Sequence, residues 1–160
     1  MRLLALMVLF SGSTWAAYDA NGVELGASEK AVTDKFPGAL CKPLQWSSDA
    51  ADRRCDDSRV VIGGVTGRVT FYLRRDRVEA FDVRFEARDT DRFVDFLKKR
   101  YGAPSNETRA KKEERRGGDM YKVQWDKGGE RAVLVSQAEK RRGSLTVSRG
   151  NFEEEIYKVR

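Results

Sequence analysis

Hydrophobic and polar positions alternate along most of this chain, and the breaks in the alternation mark its elements. Val69, Phe71 and Leu73 alternate with Arg68, Thr70, Tyr72 and Arg74, and Phe81, Val83 and Phe85 then alternate with Asp82, Arg84 and Glu86. Period two sends successive side chains to opposite faces, so both segments read as half-buried strands. Val60-Val61-Ile62 precedes them across a Gly63-Gly64-Val65-Thr66-Gly67 turn, and Arg75-Asp76-Arg77 joins them, which predicts a meander of three strands. Later, Tyr121, Val123 and Trp125 alternate with Lys122, Gln124 and Asp126. Lys127-Gly128-Gly129 turns that strand into Ala132-Val133-Leu134-Val135, and Lys140-Arg141-Arg142-Gly143 leads on to Leu145 and Val147. The charged stretch 108–116 reads either as a polar edge strand or as a loop.

Helical periodicity interrupts this pattern three times. Ser28 caps a short helix with Glu29 in its first turn and Val32 and Phe36 on one face, ended by Phe36-Pro37-Gly38. Asp89 or Thr90 caps a second, in which Phe93, Phe96, Leu97, Arg100 and Tyr101 keep helical spacing. Lys98, Lys99 and Arg100 complement its C-terminal dipole, and Gly102 and Pro104 stop it. In the last, Phe152, Ile156 and Val159 form a stripe, with Glu154 four residues before Lys158. Turns this short force antiparallel pairing. The expected fold is an α+β two-layer sandwich, an antiparallel sheet of two helix-plus-meander halves with the helices on one face. Residues 17–160 make a single domain, with halves at about 22–86 and 87–160.

The N-terminus departs from both periods. Arg2 is followed by an unbroken apolar run at 3–10 and then by Ser11-Gly12-Ser13-Thr14-Trp15-Ala16, the order of a secretory signal peptide over residues 1–16. Thr14 and Ala16 suit the small-residue positions of a cut after Ala16, and the run is far short of the ~20 residues of a spanning helix. The expected location is periplasmic or secreted, and no transmembrane segment is expected. Export turns the two cysteines, Cys41 and Cys55, into an expected disulfide. A metal site or redox pair competes with that reading, but two thiolates without histidine make half a zinc site, and the spacing is not C-x-x-C. The bridged segment has Pro, Ser and Asp but no alternation, so it reads as a surface loop whose shape the bridge holds.

Composition narrows the chemistry. The 160 residues include no histidine, which removes the commonest general base and metal ligand together with every Ser-His or Cys-His pair. No nucleophile elbow, P-loop or zinc-protease motif is present, and Gly63, Gly64 and Gly67 lie between strands instead of opening a helix. No catalytic residue, metal or cofactor is therefore assigned. Residues 98–149 carry 15 basic and 7 acidic side chains. That excess reads first as a solvated surface, because Glu107, Glu113, Glu114 and Glu139 interleave with the bases. The competing reading is a patch for anionic lipid, lipopolysaccharide phosphate or an acidic protein, with nucleic acid not expected in an exported protein.

The candidate binding residues are Trp46 in the bridged loop and Tyr72, Arg68, Arg74 and Arg84 on the polar strand face, since Trp, Tyr and Arg are the types that most often anchor interfaces. Trp46, next to Leu44, equally suits packing at the edge of the core. The elements Gly22-Val23-Glu24-Leu25-Gly26, Phe36-Pro37-Gly38, the Cys41 and Cys55 pair, Tyr101-Gly102-Ala103-Pro104, Trp125 and Gly143-Ser144-Leu145-Thr146-Val147 resemble small exported proteins of Gram-negative bacteria that have no assigned function. The helix-plus-meander order is also similar to the architecture of the β-lactamase-inhibitor proteins and of small lipoproteins of outer-membrane assembly, though this chain lacks the latter's lipidated cysteine. The resemblance implies compartment and fold. The expected function is a non-enzymatic binding or inhibitor module for another exported protein or an anionic envelope component. The alternative is an exported hydrolase that uses carboxylates on a cell-wall or polysaccharide substrate.

Overall fold

The computed structural model describes residues 17–111 and 119–158, so the expected leader at 1–16, part of the charged stretch at 112–118, and Val159 lie outside the described residues. The chain opens with a small hairpin, β1 (Asp19–Ala20) and β2 (Val23–Glu24), followed by α1 (Glu29–Lys35) and the strands β3 (Leu40–Pro43), β4 (Arg53–Ile62), β5 (Val65–Arg74) and β6 (Arg77–Glu86). Then come α2 (Thr90–Tyr101), the strands β7 (Asn106–Ala110), β8 (Met120–Lys127), β9 (Glu130–Gln137) and β10 (Arg142–Arg149), and α3 (Phe152–Glu155). Strands β3 to β10 form one antiparallel sheet in the order β3-β4-β5-β6-β10-β9-β8-β7. Each meander is thus four strands, and the two meanders join through their last members, β6 and β10. Among the described residues no helix is long and apolar enough to cross a membrane.

The core lies on the face that α1 and α2 cover. Phe36 meets Phe71 with ring centroids 5.0 Å apart, Phe93 meets Phe85 at 4.9 Å, and Tyr101 meets Trp125 at 5.9 Å. All three strand aromatics are buried and lie on the face opposite Tyr72, Arg84 and Gln124. At the start of α1, the Ser28 hydroxyl accepts a hydrogen bond from the Ala31 amide at 3.2 Å, as the capping pattern predicts. The β1–β2 hairpin is tied to α2. Arg100 Nε donates to Asp19 Oδ1 at 2.7 Å, and Tyr101 Oη donates to the Asp19 carbonyl at 2.9 Å.

Several expectations are corrected. Cys41 and Cys55 are disulfide-bonded, but they do more than shape a loop: they sit directly opposite each other in β3 and β4. Strand β4 begins at Arg53, seven residues before Val60, because Arg54 and Asp56 point to the solvent side as an ion pair, and so its alternation is invisible in hydropathy. Neither Asp89 nor Thr90 caps α2 with its side chain. The helix is entered through the 3-10 turn Ala87–Asp89, and the Thr90 hydroxyl instead lies 2.6 Å from Ser136 Oγ. The polar stretch begins as an edge strand, β7, and Gly143 belongs to β10 rather than to the preceding turn. The last helix is one turn long, and Lys158 pairs with Glu155 at 2.5 Å instead of Glu154.

The placement of α3 is the correction that matters for function. Phe152 lies against Tyr72, with centroids 5.4 Å apart, on the face opposite Phe71. It belongs to a second buried cluster with Ala51, Ala80 and Ile156, separate from the main core. The helices therefore do not share one face. Ala80 and Tyr72 sit opposite one another on that second face and give α3 an apolar floor in an otherwise polar surface.

Candidate functional site

Strand register assigns the second face row by row. One row runs Asp56, Thr70, Asp82, Thr146, Val133, Gln124 across β4, β5, β6, β10, β9 and β8. The neighbouring row runs Arg68, Arg84, Ser144, Val135, Lys122 from β5 to β8. At one end the face is closed by α3 and residues 44–52. The Trp46 indole N–H donates to the Ile156 carbonyl at 2.7 Å, Ser48 Oγ donates to the Glu155 carbonyl at 3.1 Å, and Trp46 stacks on Tyr157 at 5.9 Å. Beyond this clasp no other described residues cover this face of the sheet. It carries two adjoining depressions of about 320 and 360 Å³ that share Asp82, Arg84, Val135 and Ser144.

The polar groups on this face are ordered by one another. Asp82 accepts from Thr146 Oγ1 at 3.0 Å and from Arg84 Nε at 2.9 Å, and Asp56 accepts from Thr70 Oγ1 at 2.8 Å. Arg54 Nε lies 2.9 Å from Asp56 Oδ2, an ion pair whose N–H is not aligned for a hydrogen bond. Each carboxylate is therefore engaged by an arginine and a threonine, which fixes the pattern of charge on this face. Burial, followed by the nearby Tyr157 and Asp82, pushes the Tyr72 phenol up to about 12. It stays neutral at ordinary pH.

The five candidate binding residues separate into two groups. Tyr72 and Arg84 line the same depression, and Arg68 lies directly opposite Arg84 on β5. Trp46 and Tyr72 also hold α3 against the sheet, so both are partly structural. Arg74 faces solvent at the far end of β5 opposite Arg77, beside the Arg75–Asp76 turn and outside both depressions. Sequence reasoning missed Val133, Val135, Ser144 and Tyr157. The signal for the valines was present: in Ala132-Val133-Leu134-Val135 both phases are apolar, which puts two aliphatic side chains on the polar face.

The one group with metal-ligand spacing among the described residues is Glu29, Cys41 and Cys55. Its sulfurs are joined to each other, and its carboxylate receives Arg53 Nε and an Nη at 2.6 and 3.0 Å, so its donors are already engaged. Compared with protein-family models, curated proteins and solved structures, the chain matches none.

Proposed function

We propose that this protein is an exported binding module that engages another macromolecule of the cell envelope through the uncovered part of its second sheet face. The observation that carries this reading is the half-covered face itself. A preordered clasp of α3 and the bridged loop occupies one end, and next to it a cleft with half-buried Val133 and Val135, exposed Tyr157 and a solvent-facing Arg84 is left open. The paired backbone and the β-branched Val133 and Val135 lose little freedom when a partner docks, which leaves more of the contact energy as affinity. The disulfide suits an oxidising compartment. The architectural likeness to β-lactamase-inhibitor proteins agrees with a binding role and stands as part of the proposal. The hydrolase alternative draws less support, because Asp82, the carboxylate shared by the two depressions, is already taken up by Arg84 and Thr146, which leaves Glu153 as the other acid at the cleft.

The test is positional photo-crosslinking in intact cells, with the reactive side chain at Val135 or, as a control on the opposite side of the molecule, at Lys99. A discrete adduct from Val135 alone supports the reading. Equal adducts from both positions, none from either, or turnover of peptidoglycan by the unmodified protein overturns it. Export is checked in the same cells by the mature N-terminus, expected at Ala17.

A further inference from the structure

Bases outnumber acids on the open face, even with the exposed Glu153 of α3 counted at the edge of the cleft. The register places the carboxylates of Asp56, Asp82, Glu86 and Asp126 there, and each is paired with an arginine: Arg54, Arg84, Arg88 and Arg131, at 2.9, 2.9, 2.9 and 2.8 Å. Arg68, Lys122 and Arg142 share the face and have no carboxylate within ion-pair distance among the described residues. Arg68 and Arg84 are also directly opposed across β5 and β6, an arrangement of like charges that costs sheet stability. Asp82 engages the Nε of Arg84, and no partner holds its two terminal nitrogens among the described residues. Two arginines at opposed strand positions, with terminal nitrogens that no described residue holds, form a receptor for an oxyanion, and a carboxylate bridging them would relieve the repulsion between them.

What surrounds the pair identifies the kind of anion. Continuing along the same row, Ser144 and then Val135 follow Arg84, with Lys122 one strand further and Val133 beside Val135 in the neighbouring row. Strands are spaced by about 4.8 Å, so Val135 lies on the order of 10 Å from Arg84, the reach of about three residues of extended chain. A phosphate site would gather its donors around one point. Here cations and aliphatic side chains are spread out in turn along a line.

From this arrangement we infer that the open face takes an acidic polypeptide segment. One carboxylate of the segment bridges Arg68 and Arg84, and an apolar side chain about three residues away rests on Val133 and Val135. The inference rests on the open-face reading above and specifies the partner's chemistry.

The probes are a random copolymer of glutamate and tyrosine, polyglutamate, polyphosphate, and vesicles of phosphatidylglycerol, each titrated against the full mature protein. The copolymer is expected to bind most tightly. R68Q with R84Q should weaken it at least tenfold, and V135S several-fold, with the thermal transition little changed. Polyglutamate, which lacks the apolar side chain, should bind the wild type more weakly and be indifferent to V135S. Tighter binding of polyphosphate or of the vesicles would assign the face to phosphate and overturn the inference, as would copolymer binding that ignores R68Q and R84Q. If R84Q destabilises the sheet, R68Q alone decides, because Arg68 has no ion-pair partner among the described residues to lose. A Val135 adduct that persists in R68Q with R84Q would sink the acidic-segment inference and leave the binding reading standing, whereas no Val135 adduct in wild type would remove both.

Discussion

The indole N–H of Trp46 donates to the carbonyl of Ile156 at 2.7 Å across 110 positions of sequence. Helix α3 is a single turn without a side-chain N-cap, too short to persist by its own hydrogen bonds. It stays on the sheet because Phe152 and Ile156 are buried against Ala80 and Tyr72, and because the bridged loop holds its carbonyl end. Loop and helix therefore stand or fall together, and they form one wall of the cleft.

Trp46→Phe keeps a ring to stack on Tyr157 and loses the hydrogen bond, so it should cost about 1 kcal/mol in chemical denaturation. Trp46→Ala should cost more, on the order of 2 to 3 kcal/mol, because a partly buried aromatic ring is lost as well. Amide exchange at Glu155 and Ile156 should speed up in both variants while the β5 and β6 amides stay protected. Unchanged exchange in Trp46→Ala would show that α3 is held by Phe152 alone.

Reducing the disulfide should remove about 3 kcal/mol of stability by the chain-entropy relation, given the sequence separation of 14. The loss should be local first. The edge strand β3 pairs only with β4 and has mostly exposed side chains, whereas β4 is also paired along its length with β5. Replacing both cysteines by serine should therefore expose β3 amides to exchange and leave β4 protected. Loss of the β4 and β5 protection in the same variant would mean that the bridge holds the sheet and not its edge.

The strands β5, β6, β8 and β9 and the helix α2 were legible because one face of each is buried in a large core, which writes the period into the sequence. The start of β4 was not. Arg53, Arg54, Asp56 and Asp57 are charged strand residues with partners of their own: Glu29 for Arg53 and Thr70 across the ladder for Asp56, Asp56 itself for Arg54, and the Arg59 amide for Asp57. The side on which α3 packs was also hidden, since a helical stripe of Phe152 and Ile156 demands an apolar surface but does not say which one. The site was half legible. Arg68, Tyr72 and Arg84 follow from strand alternation, but their meeting with Val133 and Val135 depends on β6 pairing with β10, a contact between the halves that no local pattern encodes.

Phe85 crosses the helix-side face with a glycine on each neighbouring strand, Gly67 on β5 and Gly143 on β10, both in direct register with it. A Cβ on Gly143 would overlap the Phe85 ring, and one on Gly67 would overlap the Arg84 carbonyl. Gly143→Ala should destabilise by roughly 1 to 3 kcal/mol through overpacking. Phe85→Leu in the same chain should recover part of the loss, giving a double-mutant coupling that reports the contact. Additive losses would show that the glycine is required for the backbone and not for the ring.

Tyr72 links stability to pH on the alkaline side. Its phenol is raised from an ordinary value of 10.0 to about 12, first by burial under α3 and then by the nearby Tyr157 and Asp82. The neutral form is the one the fold prefers, so its contribution is present in full below pH 10 and is lost as the pH rises from about 10 to about 12. Phenolate formation at Tyr72 would place a charge between Phe152 and the Asp82 carboxylate, and the expected response is release of α3 ahead of global unfolding. Tyr72→Phe retains the ring and abolishes the titration, so its alkaline loss of α3, followed by amide exchange at Ile156, should begin at higher pH than in wild type. Identical alkaline profiles for the two proteins would locate the alkaline sensitivity elsewhere, with Tyr18, likewise raised to about 12, the next group to replace.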